Sequence, residues 1–230
     1  MSNFDSTWNI DILRIVTFSD ERIPFTEETT SISLTGVPIT ASIRQEENGE
    51  IRINEATQLE NGSLFDLSYF ENQNIIEFSL NINELPISLD ESLVILENYT
   101  RLFYEKNNFK IKRIGIIAEL YNTSFTTVKD KLPIINTLNK NDDFDIRLNK
   151  VSEFNGVKIN QAINFCSAEK LFIKIEEPFN IPIAEMKKVT RLVVDVNTDI
   201  ENELINDKTS ILMKLVALSK KLIISEGVYE

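Results

Sequence analysis

Apolar and polar residues alternate with a period of two in several segments of the chain, as half-buried β-strands require. The segments are WNIDILRIVTF (8–18), NIIEFSLNI (74–82), LFIKIEE (171–177) and KVTRLVVDVN (188–197). We expect them to form strands of an antiparallel sheet. In the first segment, the apolar residues predicted to share a face are Trp8, Ile10, Ile12, Val16 and Phe18.

Three Asn-Gly pairs favour tight turns between antiparallel strands, because both residue types tolerate a positive φ. The pairs are Asn48-Gly49, Asn61-Gly62 and Asn155-Gly156. Around the first pair, the pattern predicts that Ile43 shares a face with Ile53 on the returning strand. Around the third pair, Leu148 is expected to share a face with Ile159. Both segments are predicted hairpins.

A helix is predicted at 88–106, where Ser88 followed by Glu91 has the spacing of a capping box. Apolar residues then recur at intervals of three and four, which produces an amphipathic stripe. The stripe consists of Leu89, Leu93, Leu96 and Phe103. A weaker helical pattern surrounds Pro133, which would kink or shorten a helix there.

The last predicted helix covers 199–226, with Thr198 or Asp199 as its cap and Gly227 at its end. At 1.5 Å per residue it would be about 40 Å long. Its apolar side carries Leu204, Ile211, Leu215, Leu218 and Leu222, and its polar side Ser210, Lys214, Ala217 and Lys221. Since a sheet is the large partner that the sequence predicts, we expect the leucines to pack on the chain's own strands.

These elements predict an α+β fold, in which antiparallel β-meanders are covered on one side by long helices. Two halves, 1–107 and 108–230, would each run as strand, connection, meander and helix. This order of elements resembles the saddle of the TATA-binding protein and also the helix-grip domain, in which a curved sheet wraps a C-terminal helix. The nucleic-acid role of the saddle is not implied, because that role needs a basic face.

The segment KRIGIIAELYN (112–122) is similar to a strand of a sporadically distributed, uncharacterised bacterial protein family. Members carry an Arg-hydrophobic-Gly-hydrophobic strand that ends in Tyr-hydrophobic-Asn, followed later by a long terminal helix. Arg113, Ile114, Gly115 and Ile116 match the start of that strand, whereas Tyr121-Asn122 depart from its spacing. The resemblance implies an α+β layout and a bacterial or phage origin, with no function attached.

Composition narrows the classes of function. A net charge of −12 in 230 residues repels phosphate backbones, so nucleic acid is not expected as the primary target. Since no apolar run approaches about 18 residues, no membrane partner is expected. The single cysteine and the lack of a signal-peptide pattern point to the cytoplasm.

Catalytic chemistry has few candidate residues. The chain has no histidine, so Ser-His and Cys-His nucleophile pairs are excluded, and Cys166 is predicted to be a small buried strand residue. No glycine-rich nucleotide-binding motif occurs, and no cofactor or catalytic residue is assigned. Carboxylates remain: Asp142, Asp143 and Asp145 could supply oxygen ligands to Ca²⁺ or Mg²⁺.

Three functions follow from these observations. The first is a non-catalytic, acidic protein–protein interaction module, such as an accessory, inhibitory or immunity-type factor of bacterial or phage origin. Its partner would be another protein with a basic surface, and a homo-oligomer is also open. The alternative is a small-molecule binder of helix-grip type. The third is a metal-dependent carboxylate enzyme. Aromatic residues that could line a ligand cavity are Tyr69, Phe144, Phe154, Phe165 and Phe172.

Overall fold

The structure is a computed structural model of the chain, and it describes residues 8–23, 25–47, 50–82, 88–123, 143–176, 181–202 and 204–224. Strands dominate these residues. They are β1 (Asn9–Ser19), β2 (Ala41–Glu47), β3 (Glu50–Gln58), β4 (Leu64–Phe70), β5 (Ile75–Asn81), β6 (Ile111–Asn122), β7 (Asp145–Phe154), β8 (Val157–Glu176) and β9 (Ile181–Thr198). The α-helices are α1 (Ser31–Thr35), α2 (Leu89–Lys106) and α3 (Lys208–Ile224), and 3-10 turns occupy Glu27–Thr29 and Glu71–Gln73.

All nine strands belong to one antiparallel sheet, in the order β2-β3-β4-β5-β1-β6-β9-β8-β7. On β1, Ile15 lies opposite Phe78 of β5 and Ile116 of β6, and all three side chains are fully buried. This face of the sheet, the helix face, packs against α2 and α3. The opposite face of the sheet, which carries Arg14 and Glu119, is called the far face below.

The predicted fold class is wrong, since the helices do not cover two separate meanders. The pair β1–β6 joins the segments 1–107 and 108–230 into a single nine-stranded sheet, in which strand residues outnumber helical residues. Helix α2 packs on β1 and β5, α3 packs on β6 and β9, and the two helices contact each other. Because all of these strands are central, α2 and α3 cover the middle of the sheet, whereas the short helix α1 packs on β3 near one end.

Helix α3 is shorter than the sequence pattern predicted and begins later. It starts at Lys208, after Asp207, whose carboxylate accepts a hydrogen bond from the Ser210 amide at 3.0 Å. Thr198 instead ends β9, and its Oγ1 accepts a hydrogen bond from the Ile114 amide. Leu204 precedes the helix and is 37% exposed. Within the helix, the apolar residues Ile211, Leu212, Leu215 and Leu222 are buried against the sheet and α2.

Several local predictions are confirmed. Helix α2 begins after Ser88, whose Oγ accepts a hydrogen bond from the Glu91 amide at 3.2 Å. The Asn155-Gly156 turn, with φ values of 52° and 78°, joins β7 to β8. The helical pattern around Pro133 and the expected helix end at Gly227 lie outside the described residues.

Two predicted strand faces are wrong. On β1, the fully buried residues are Leu13, Ile15 and Thr17, because the register shifts between Ile10 and Ile12 and so reverses the alternation. In the first hairpin, Ile43 lies opposite Asn54 instead of Ile53, so the two isoleucines point to opposite faces.

Candidate interaction surface

The predicted metal ligands do not form a cluster. Asp142 lies outside the described residues, and Asp145 is an exposed residue at the start of β7. Asp143 accepts a hydrogen bond from Lys188 at 2.8 Å and one from Ser167 at 3.2 Å. The hydrogen bond from Lys188 lowers the pKa of the Asp143 carboxyl. Among the described residues, no three His, Cys, Asp or Glu side chains are grouped as metal ligands would be.

Cys166 lies on the far face of β8, directly opposite Arg191 of β9. The thiol is half-buried, and burial raises its pKa, although the charge of Arg191 acts in the opposite direction. A raised pKa disfavours the nucleophilic thiolate at neutral pH. The position therefore lacks the electrostatic activation that a catalytic cysteine needs.

The most distinctive feature of the sheet is a two-stranded extension of β8 and β9. The pairing of β7 with β8 ends at Asp145 opposite Cys166, and the pairing of β6 with β9 ends at Asn122 opposite Thr190. Beyond these points, residues 168–176 and 181–189 continue to pair with each other. Among the described residues, no further strand pairs with this extension, which we call the hairpin arm.

One face of the hairpin arm is apolar and exposed. Leu171 lies directly opposite Met186, and Ile173 follows on the same face opposite Ala184. The exposed fractions are 52% for Leu171, 68% for Ile173 and 56% for Met186. Single exposed apolar residues are common on protein surfaces, but a contiguous group on a projecting element is characteristic of a contact site.

The other face of the arm combines aromatic rings with lysines. Phe172 packs edge-on against Tyr121 at the end of β6, with ring centroids 5.9 Å apart. The Lys170 ammonium lies 4.1 Å from the centre of the Tyr121 ring, and the Lys187 ammonium lies 5.6 Å from that of Phe172. Such cation–π contacts each contribute roughly 0.5–1 kcal/mol at exposed sites, so this face holds the arm against the sheet.

Charged pairs fix the base of the arm on the far face. Arg191 on β9 donates a hydrogen bond to the buried carboxylate of Glu119 on β6, and this bond raises the pKa of the Arg191 guanidinium. Arg14 on β1 lies 3.8 Å from the same carboxylate and 3.5 Å from Glu77 on β5. Lys170 of the arm forms an ion pair with Asp11 at the bulge of β1. These pairs thus connect the base of the arm to β6 and β1 and, through Arg14, to β5.

The aromatic residues proposed for a ligand cavity lie at separate places. Tyr69 is buried and donates a hydrogen bond at 2.5 Å to the carbonyl of Thr29, in the 3-10 turn Glu27–Thr29, and Phe165 is buried in the core. Phe154 lies beneath the Lys214 ammonium, and Phe144 borders a cavity of about 10 Å³ near the base of the arm. Since Phe172 lies on the arm, these rings do not surround a common pocket.

A larger cavity, of about 510 Å³, lies beside β2 and β3 on the helix face. Its lining consists of Arg22, Phe25, Arg44, Ile53 and Glu71. Arg22 forms an ion pair with Glu71, and Phe25 packs edge-on against Tyr69 with ring centroids 5.1 Å apart. Helix α3 contributes no residue to this lining, so the cavity is not the one that a helix-grip layout would place under the terminal helix.

The hairpin arm was not anticipated, although part of its signal is present in the sequence. The alternation in LFIKIEE and KVTRLVVDVN predicts strands of ordinary length, whereas β8 has 20 residues and β9 has 18. Both exceed the usual strand length of about five to six residues by a factor of three. A count of consecutive strand-forming residues after Gly156 could have indicated a hairpin longer than its sheet.

Comparison with known proteins assigns no family. No protein-family model matches the chain. A segment of 166 residues, 72% of this chain, is 27% identical to autophagy-related protein 11 of Vanderwaltozyma polyspora, and the match covers 12% of that protein's length. The rolling circle replication initiator protein from Geobacillus stearothermophilus superposes with a TM-score of 0.35 and 8% identity, over 92% of this chain and 79% of that one. No described helix is both long and apolar enough to cross a membrane.

Proposed function

We propose that the chain is a non-catalytic protein–protein interaction module that docks through the apolar face of its hairpin arm. The observation that supports this proposal is the adjacency of Leu171, Ile173 and Met186, all more than half exposed, on a projecting ribbon. An interface core is built from such side chains, and fully burying each one contributes about 1.5–3 kcal/mol. In the accessory or inhibitory role proposed here, the module acts by occupying a surface of its partner.

The partner in this proposal is a protein with an apolar patch surrounded by basic side chains. The chain carries a net charge of −12, so a basic partner is attracted at long range. The apolar face of the arm then supplies short-range contacts that charge alone does not provide. Association should therefore slow as salt is raised, with a smaller effect on dissociation.

The test is a pull-down from the native host, with the wild-type chain and an arm variant as separate baits. The variant carries Leu171→Ser, Ile173→Ser and Met186→Ser, which remove exposed apolar groups without opening a cavity in the core. Every protein that the wild type enriches is then purified, and its affinity for each bait is measured by calorimetry. We expect the variant to bind at least about tenfold more weakly, since three apolar contacts are lost.

Ile43→Ser is the matched control, because Ile43 is 52% exposed on β2 at the opposite end of the sheet. It should leave the affinity within about twofold of wild type. A purified partner that binds the arm variant as tightly as the wild type would exclude the arm as the docking element. If the wild type enriches no protein at all, the interaction function itself is contradicted.

The cavity beside β2 and β3 favours a second candidate, a small-molecule binder. Its volume of about 510 Å³ lies within the usual range for ligand sites, and Arg44 forms no ion pair among the described residues. Arg44 and Phe25 line the same cavity, and a guanidinium together with an aromatic ring suits a small anionic ligand with a planar or apolar part. Citrate and ATP at millimolar concentration should raise the melting temperature of the wild type, and Arg44→Gln should abolish that increase. No increase with either probe would contradict this candidate.

A further inference from the structure

Strand β7 is an edge of the sheet, and its outer side has no neighbouring strand among the described residues. Its ten residues pair with β8 without a register shift. Val151 is 63% exposed on this strand. An unpaired edge of this length presents a row of backbone donors and acceptors that can bind another strand.

The backbone groups that point outward can be identified from both ends of β7. The two-residue turn at Asn155-Gly156 has positive φ at both positions, and in such a turn the flanking pair, Phe154 and Val157, exchanges both hydrogen bonds. At the other end, the Ser167 amide donates to the Phe144 carbonyl at 3.0 Å. The even-numbered residues of β7 therefore direct their N–H and C=O groups toward β8, and the odd-numbered residues of β7 direct theirs to the open edge.

We propose that β7 pairs with β7 of a second copy of this chain, antiparallel, about a two-fold axis that passes beside Val151. In this register the outward groups of Val151 bond to those of Val151 in the second copy. Asn149 pairs with Glu153 of the second copy, and Glu153 with Asn149. Each pair exchanges two hydrogen bonds, giving about six at the centre of the interface.

The charged side chains of β7 are compatible with this register. Centred on Val151, the pairing places Val151 against Val151, Leu148 against Phe154 and Lys150 against Ser152, with no like charges directly opposite. Shifting the axis to Asn149 places Asp145 opposite Glu153, and like charges directly opposite in an antiparallel pair destabilise it. Shifting the axis to Lys150 places that lysine opposite its own copy but also Arg147 opposite Glu153, so disulfide trapping is used to distinguish this register from the one centred on Val151.

The dimer has a defined shape and a limited affinity. Because the axis is normal to the sheet, the two sheets form one continuous sheet, and the hairpin arms project at opposite ends. The interface covers few apolar side chains, with Val151 the most exposed of them. Edge pairing of this extent corresponds to a dissociation constant on the order of 10 µM, and a monomer at low concentration.

Sedimentation velocity of the intact chain, from about 1 µM to about 100 µM, tests the association, because this range spans the expected dissociation constant. Val151→Pro removes an outward N–H that β8 does not use, and prolines are tolerated on edge strands. It should weaken the dimer at least about tenfold, since two central hydrogen bonds are lost. Val151→Ala keeps the N–H and should weaken it less than about threefold. Unchanged circular dichroism and melting temperature would establish that each variant is folded.

Disulfide trapping tests the register and does not depend on the proline variant. In a Cys166→Ser background, Val151→Cys brings two Cα atoms to about 5.5 Å, a distance that a disulfide spans. Lys150→Cys reports the neighbouring register. Arg147→Cys is the control, because residue 147 of the second copy lies roughly 27 Å away along the strand. Under mild oxidation we expect a covalent dimer for Val151→Cys and much less for the other two.

Three results would overturn the proposal. A wild-type chain that stays monomeric across the concentration range has no such interface. A dimer that a folded Val151→Pro variant leaves intact uses another surface, such as the β2 edge. Faster trapping through Lys150→Cys than through Val151→Cys would place the axis elsewhere. Each of these results leaves the docking role of the hairpin arm untouched, because that role is tested by different residues.

Discussion

Arg191 on β9 donates a hydrogen bond to the carboxylate of Glu119 on β6, which is buried on the far face of the sheet. Arg14 on β1 lies 3.8 Å from the same carboxylate. Glu119 is therefore placed between two guanidinium groups, one on each neighbouring strand. This arrangement ties the base of the hairpin arm to the centre of the sheet.

Replacing Glu119 with alanine should lower the free energy of unfolding by about 2 kcal/mol. The change leaves Arg14 and Arg191 near each other without the carboxylate that both of them contact, and the partial exposure of Arg191 keeps the loss below that of a fully buried pair. Urea unfolding of the purified chain measures the difference. Glu201→Ala is the control, because the Lys158–Glu201 pair is exposed and its removal should cost less than about 0.5 kcal/mol. Equal losses for the two variants would contradict the role given to Glu119.

Replacing Asp207 with alanine should lower the free energy of unfolding by about 1 kcal/mol. Its carboxylate accepts a hydrogen bond from the Ser210 amide, which is one of the unpaired donors of the first turn of α3. Urea unfolding and the helical circular dichroism signal measure the effect. Asn206→Ala, one residue earlier in an exposed bend, should change stability by less than about 0.5 kcal/mol. A smaller loss for Asp207→Ala than for Asn206→Ala would mean that α3 is capped by another group.

The faces of the strands show what a hydrophobic pattern can and cannot predict. In the hairpin at Asn155-Gly156, Leu148 lies opposite Ile163, four positions from Ile159, so the predicted shared face is correct. In the first hairpin Glu47 lies opposite Glu50, so odd residues of β2 pair with even residues of β3, which separates Ile43 from Ile53. Counting across the turn would have revealed this error, because a shift of one residue exchanges the two faces of a strand.

Other errors depended on contacts that no local pattern contains. The bulge at Asp11 reverses the alternation of β1, and a bulge is recognised by pairing with a second strand. The pairing of β1 with β6 joins residues about one hundred positions apart and turns two expected meanders into one sheet. The candidate site was missed for a similar reason, since the sequence shows the strands of the arm but not where β6 and β7 stop pairing with them.

Phe103→Ala should lower the free energy of unfolding by about 3–5 kcal/mol, because it removes a fully buried ring from the core between α2 and the sheet. The ring centroid of Phe103 lies 5.3 Å from that of Phe78 on β5 and 5.6 Å from that of Phe109. Val94→Ala on the same helix is the matched control, because Val94 is 53% exposed and should change stability by less than about 0.5 kcal/mol. A loss below about 1 kcal/mol for Phe103→Ala would contradict the packing of α2 on β5.

Asp66→Asn should stabilise the chain at neutral pH and have no effect in strong acid. Asp66 is half-buried on the far face of β4, and burial raises its pKa above the ordinary value of 3.8, with the charge of Glu77 adding to the increase. At a pH well below 3.8 the Asp66 carboxyl is neutral in both the folded and the unfolded chain. As the pH rises through the folded-state pKa, the unfolded chain releases the proton more readily, so folding stability is lost and stays lost at neutral pH.

Asparagine keeps the shape of Asp66 without the charge, so its advantage over wild type should grow as the pH rises from 3.8 and reach a plateau once Asp66 is ionised in the folded chain. Urea unfolding of both proteins at several pH values between about 4 and 8 measures this difference. Glu46→Gln, on the exposed edge strand β2, serves as the control and should change stability by less than about 0.5 kcal/mol. If Asp66→Asn were less stable than wild type at neutral pH, the carboxylate would be stabilising the fold, and the unfavourable burial described here would be contradicted.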